Sequence, residues 1–130
     1  MKKKGSKSDT QNHRNRAILK IFRDKKRDCK YESFFQICVA ISKMPTHRYY
    51  ISEAMGVSIW GRWRKTGEIP AAGKYKGRLY EAFIKECERI HKEEGGTPLA
   101  VVRAALECKA PCMGVSPFRI FVILKQMGQK

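Results

Sequence analysis

Met44-Pro45-Thr46-His47-Arg48-Tyr49-Tyr50-Ile51-Ser52-Glu53 separates two helical patterns and shows where one stops and the next starts. The residue before a proline resists the α region, so the apolar pattern from Tyr31 to Lys43, carried by Phe34, Phe35, Ile37, Cys38 and Ile41, ends at Met44-Pro45. Tyr49-Tyr50-Ile51 reads as a short extended stretch. It leads into Ser52, whose hydroxyl suits a helix N-cap, and Glu53 then sits in the first turn, where the helix dipole favours an acid. From there Gly56, Ile59, Trp60 and Trp63 share one face of a helix to about Lys65, and Gly67 ends it.

The same signals recur outward in both directions. Lys74 to Glu94 reads as the longest helix, with Leu79, Phe83, Cys87 and Ile90 at helical spacing and Glu81/Lys85 and Glu88/Lys92 four residues apart. Gly95-Gly96 stops it. Thr97-Pro98 is an N-cap followed by proline at the first helical position, opening a helix to about Lys109 that Pro111 breaks. Ser116-Pro117 opens a last helix through Phe118, Phe121 and Val122 towards Met127, although the β-branched residues in Ile120 to Ile123 leave a strand as its alternative. Upstream, Asn15 to Asp28 is a basic amphipathic helix with Ala17, Ile18, Ile21 and Phe22 on one stripe. Residues 1–13 are polar and show no apolar period, so they read as a flexible basic arm. The expectation is an all-α fold, a compact bundle of five to six helices over 14–130, in a chain of 130 residues with room for one core.

Two segments share one grammar, in which a helix stops at a proline unit, an apolar residue follows, and a serine caps the next helix. They are Met44 to Ser52 and Ala110-Pro111-Cys112-Met113-Gly114-Val115-Ser116. Aligned on their prolines the linkers differ by two residues, which makes an echo rather than a strict repeat. The pattern Met44-Pro45-x-x-Arg48-Tyr49-Tyr50-Ile51-Ser52-Glu53, with Lys65-x-Gly67, Ala110-Pro111 and Val115-Ser116-Pro117, resembles a family of small helical proteins from Bacteroidetes genomes and their phages or mobile elements. The resemblance spans about Cys29 to Lys125. Family members tend to carry an aromatic pair where this chain has Met113-Gly114, and a small residue followed by aliphatics where it has Gly56 with Trp60. The resemblance implies the helical layout and a mobile-element context, and no activity.

Charge decides the functional expectation. Twenty-eight Lys and Arg face twelve Asp and Glu, a formal charge of +16, and such an excess is more readily understood if a polyanion neutralises it. It is also uneven. Residues 1–30 hold twelve bases and three acids, residues 60–80 hold six bases and Glu68 alone, and residues 81–107 reverse the sign. The basic arm with the residues that follow it (Lys2, Lys3, Lys4, Lys7, Arg14, Arg16), the first helix that continues its charge (Lys20, Arg23, Lys26, Arg27), and a third group (Arg62, Arg64, Lys65, Lys74, Lys76, Arg78) are therefore the expected phosphate contacts of a nucleic-acid-binding protein. The partner expected is nucleic acid, DNA rather than RNA, with an adaptor docking its basic face on an acidic protein or a ribonucleoprotein as the second reading. Tyr75 and Tyr80 lie among these cations and are placed for base stacking or for the core.

Other chemistry finds less purchase. Ala54-Met55-Gly56-Val57-Ser58 with Trp63-Arg64-Lys65 resembles a helix-turn-helix, but the glycine-to-tryptophan spacing is about two residues short for a recognition helix, which favours one uninterrupted helix. Cys87, His91, Cys108 and Cys112 supply the number of ligands zinc needs, at spacings unlike familiar fingers or ribbons. No phosphate-binding glycine loop, zinc-protease helix, nucleophile elbow or carboxylate cluster occurs, so neither an enzyme nor a cofactor is expected. No apolar run approaches the ~20 residues a membrane span needs, and the polar residues after Lys4 lack the apolar stretch of a secretion signal, so the expected location is cytoplasmic.

Overall fold

A computed structural model describes residues 7–27, 33–70 and 73–129 of the chain. The chain is all-helical: six helices occur among these residues, α1 (Lys7–Arg27), α2 (Phe34–Ser42), α3 (Glu53–Thr66), α4 (Lys74–Glu94), α5 (Pro98–Leu106) and α6 (Pro117–Gln126), with no strand. The segment 117–126 is thus helix rather than the alternative strand. Among the described residues no helix is long and apolar enough to cross a membrane.

The helix ends have local causes. Ser33, Ser52, Thr97 and Ser116 each sit in extended backbone and accept the N–H three residues on, at 3.1–3.2 Å, which satisfies one of the orphan donors of each first turn. Gly67 closes α3 in the left-handed conformation (φ 75°), its N–H donating to Trp63 at 2.7 Å. On α4, Lys85 pairs with Glu81 at 3.6 Å, while Arg89 is held between Glu86 and Glu93. No ion pair joins Glu88 to Lys92.

One expectation is corrected at the N-terminus. Residues 1–6 of the arm, with Lys2, Lys3 and Lys4, lie outside the described residues, but 7–13 form the first turns of α1, which starts well before Asn15. An apolar period could not reveal this, because the contacts that dock these turns are not aliphatic. His13 meets the edge of Tyr50 at 5.8 Å between ring centroids, and Asp9 lies in the first turn, where the dipole favours it.

The helices pack around two apolar clusters. One joins α1, α2 and α6 through Ile18, Phe22, Ile37, Ile41, Ile120 and Leu124; the other joins α3, α4 and α5 through Ile59, Trp60, Phe83, Cys87, Val101 and Val102. Exchanging α1 with α4, α2 with α5 and α3 with α6 leaves every principal helix pairing unchanged, an internal two-fold relation in which the two halves trade their third helices. The register of the echo follows from the caps. Both linkers, 43–52 and 107–116, are ten residues long, and Ser33, Thr46 and Ser52 stand 64 positions before Thr97, Ala110 and Ser116. Alignment on Pro45 and Pro111 had put the two segments out of step by two. In the corrected register the buried positions coincide: Ile37 with Val101, Ile41 with Ala105, Tyr49 with Met113, Ile51 with Val115, Ile59 with Ile123, Trp60 with Leu124. Thr46 and Ala110 are each other's equivalents, and they pair with one another. Thr46 donates its N–H to Ala110 at 2.9 Å and receives that of Ala110 at 3.0 Å.

Gly56 is buried on α3, where an added Cβ would stand 2.8 Å from Val102 Cγ1 and 3.0 Å from Phe83 Cζ, whereas Gly61 on the same helix faces open space. Gly56→Ala is expected to destabilise the fold by about 1–3 kcal/mol through overpacking. Gly61→Ala, an exposed helical site, is expected to stabilise it by about 0.5–1 kcal/mol. Urea titrations of both variants check the opposed signs; a Gly56→Ala protein as stable as the parent contradicts the close contact of α3 with Val102 and Phe83.

Candidate nucleic-acid interface

Three helices bring cations together at one cleft. Arg14 lies on the half-buried side of α1, Lys74 and Lys76 are the first and third residues of α4, and Arg119 is the third residue of α6; with Gln11, Tyr75 and Ser116 they line a hollow of about 320 Å³, and no carboxylate lines it among the described residues. Gly114, with φ 76°, carries the backbone along its wall, and a Cβ there would stand 2.6 Å from Leu79, so this approach needs glycine.

The electrostatics of the cleft run against the fold's own interest. The N-terminus of a helix carries partial positive charge, so acids stabilise it and cations oppose it, by about 0.3–1 kcal/mol each at the surface. Lys74, Lys76 and Arg119 all sit in first turns that hold no acid, and Gly73 offers α4 no side-chain cap. Arg14 bonds through Nε and Nη2 to the neutral Asn15 Oδ1 at 3.2 and 3.0 Å, and burial, then the nearby Arg119 charge, lower its pKa from the ordinary arginine value. Among the described residues Lys74, Lys76 and Arg119 form no ion pair. An anion in this cleft would meet unopposed positive charge from every side.

A larger cleft of about 560 Å³ supplies the contrast. Arg48, Arg103 and His13 line it, but so do Asp9, Glu53 and Glu107, and Arg103 Nε already donates to Glu53 at 3.0 Å. Asp9 and Glu53 occupy the first turns of α1 and α3, the helices equivalent to α4 and α6. The first turns of α1 and α3 thus each include an acid, Asp9 beside Lys7 in α1 and Glu53 in α3, whereas those of α4 and α6 include none.

The remaining expected contacts are distributed elsewhere. Arg16, Lys20, Arg23 and Arg27 form an exposed stripe on the side of α1 opposite Ile18, about half a turn of the helix away from Arg14, and Lys26 lies 5.8 Å from the Phe22 ring. Lys7 is the first residue of α1, its side chain outside the described residues. On α3, Arg62 meets Glu68 at 3.8 Å and Arg64 lies over Trp60 at 4.7 Å, while Lys65 is exposed in the last turn, where cations suit the dipole. Arg78 is exposed on α4. α3 runs unbroken through Gly56, as one helix rather than a helix-turn-helix. Tyr80 packs half-buried on the α3–α4–α5 cluster, and Tyr75 is the aromatic left at the cleft.

Arg119 was absent from the expected contacts. Its signal was present, since a cation three residues after a Ser-Pro cap opposes the dipole, but the surrounding sequence is apolar and its local charge is low.

The four candidate zinc ligands are not brought together. Cys87 is buried with its thiol pushed up to about 12 by burial, His91 packs edge-on against Trp60 at 5.5 Å, Cys108 donates to Ala104 O at 3.5 Å, and Cys112 lies 3.9 Å from Tyr75 O. Among the described residues no three His, Cys, Asp or Glu side chains gather as a metal site would require.

Compared with protein-family models, curated proteins and solved structures, the chain finds no match.

Arg119→Gln is expected to raise stability at low salt by on the order of 0.5 kcal/mol, because it removes a cation from a positive helix end beside Arg14. The gain should vanish near 0.5 M salt, while Arg103→Gln should lower stability by losing Glu53. Thermal melts of both variants at two salt concentrations read this; a destabilised Arg119→Gln protein would contradict the electrostatic picture.

Proposed function

We propose that the protein binds nucleic acid, without catalysing a reaction, by seating phosphates in the cleft formed by Arg14, Lys74, Lys76 and Arg119 and along the exposed α1 stripe of Arg16, Lys20, Arg23 and Arg27. The observation that carries this reading is the acid-free cleft, where cations occupy two helix N-termini whose counterparts in the other half carry Asp9 and Glu53. A fold needing only solubility gains nothing by crowding positive charge onto positive helix ends; a polymer of phosphates relieves it. The resemblance to proteins of phages and mobile elements favours DNA as the polymer and an accessory or regulatory role.

A second reading has its own support. Phe118 is 68% exposed and Phe35 45%, and Phe35 lies 6.3 Å from Phe121, so an apolar surface accompanies the charge. An adaptor seated on an acidic protein or a ribonucleoprotein would use both.

Equilibrium binding to duplex DNA, single-stranded DNA and RNA across a salt series separates the two. If about six phosphates are contacted, log K falls against log salt with a slope of roughly −5, and the triple variant Lys74→Gln/Lys76→Gln/Arg119→Gln lowers the slope's magnitude by about 0.9 for each phosphate the cleft no longer holds. Absence of binding to any of the three polymers at 50 mM salt would defeat the nucleic-acid reading and leave the adaptor.

A further inference from the structure

The shape of the cleft narrows the kind of phosphate it suits, an inference that rests on the reading above. Phosphates inside a strand each carry one negative charge and recur at regular steps, so proteins that track them spread cations along a groove. Here four cations from α1, α4 and α6 converge on one hollow of about 320 Å³. Each of them can donate several hydrogen bonds, and Ser116 and Tyr75 stand beside them. One phosphodiester would leave most of that charge unanswered. A terminal phosphate carries about −1.5 to −2 at neutral pH and presents three free oxygens, enough to accept from arginine and lysine on several sides at once.

We propose that this cleft is a phosphomonoester site and that the protein prefers nucleic-acid strands bearing a terminal phosphate to the same strands ending in hydroxyl. Arg14 and Arg119 supply the planar donors and Lys74 and Lys76 the point charges, and the positive N-terminal ends of α4 and α6 lie at the same hollow. The exposed α1 stripe then contacts the internal phosphates of the attached strand.

The test uses the full-length protein and one single-stranded DNA sequence in three forms, with a 5′-phosphate, a 3′-phosphate or hydroxyls at both ends. Inorganic phosphate and a nucleoside monophosphate serve as competitors. At least one phosphorylated form should bind about tenfold more tightly than the hydroxyl form, equivalent to about 1.4 kcal/mol. Arg119→Gln and Lys76→Gln should each abolish the preference, so that each variant binds the phosphorylated forms no more tightly than it binds the hydroxyl form, and their circular dichroism melts show whether the fold is kept. Competition by inorganic phosphate, at millimolar levels, should remove the preference and spare the rest. Equal affinity for all three forms overturns the end preference and leaves nucleic-acid binding standing. A preference that survives in both folded variants overturns the assignment to this cleft. Failure of every form to bind at low salt overturns the end-phosphate assignment, and failure of duplex DNA and RNA as well overturns the underlying reading itself.

Discussion

Two backbone hydrogen bonds exchanged by Thr46 and Ala110 hold the crossing on which the rest of the molecule depends. Each linker leaves one apolar cluster and delivers its serine cap and following helix to the other, so the two linkers must pass one another in the interior. Buried backbone polar groups have to be paired, and reciprocal pairing at equivalent residues answers that need for both linkers at one point. Thr46 further anchors its own linker by donating its hydroxyl to Arg48 O at 2.7 Å, and the Tyr49 N–H donates to Leu106 O at 3.0 Å. Equal linker lengths follow from this constraint. A residue inserted in one linker would leave its serine cap on the following helix but lengthen the path from the Thr46–Ala110 pair, so that helix could keep its seat only if the extra residue bulged out.

The same crossing positions the cleft. The second linker carries Gly114, Val115 and Ser116 across the interior and opens α6 beside the start of α4, so that two helix N-termini meet the half-buried face of α1. Neither half of the chain could build this alone. The internal two-fold relation also supplies a control within one molecule: the same architecture tolerates Asp9 and Glu53 at the matching ends, so Lys74, Lys76 and Arg119 are not required by the fold. Their placement costs stability that the core must offset, and the proposed anionic ligand would account for it.

Much of the helical layout was legible because it is written in short-range chemistry. Ser52, Thr97-Pro98 and Ser116-Pro117 mark starts and Gly67 and Gly95 mark ends, and each signal acts within one turn of the backbone it controls. What escaped was long-range. The early start of α1 depends on Tyr50, far along the chain, and the true register of the echo depends on linkers meeting in space, whereas prolines attract the eye without setting the alignment. The basic character of the surface could be read from the excess of Lys and Arg, yet its division into an outer stripe on α1 and a separate cleft could not. Arg119 joins Arg14 there across more than one hundred residues of sequence, and only packing reveals that two arginines face each other without an acid between them.

The most direct measurement of the central claim is a map of backbone amide shifts, by two-dimensional nuclear magnetic resonance, as a short DNA strand is titrated into the labelled protein. The account predicts the largest changes at the first turns of α4 and α6 and around Arg14, with smaller ones along Arg16 to Arg27. Changes confined to the larger cleft of Arg48 and Glu53, or to the exposed Phe35 and Phe118 surface, with the cleft amides unmoved, would contradict it.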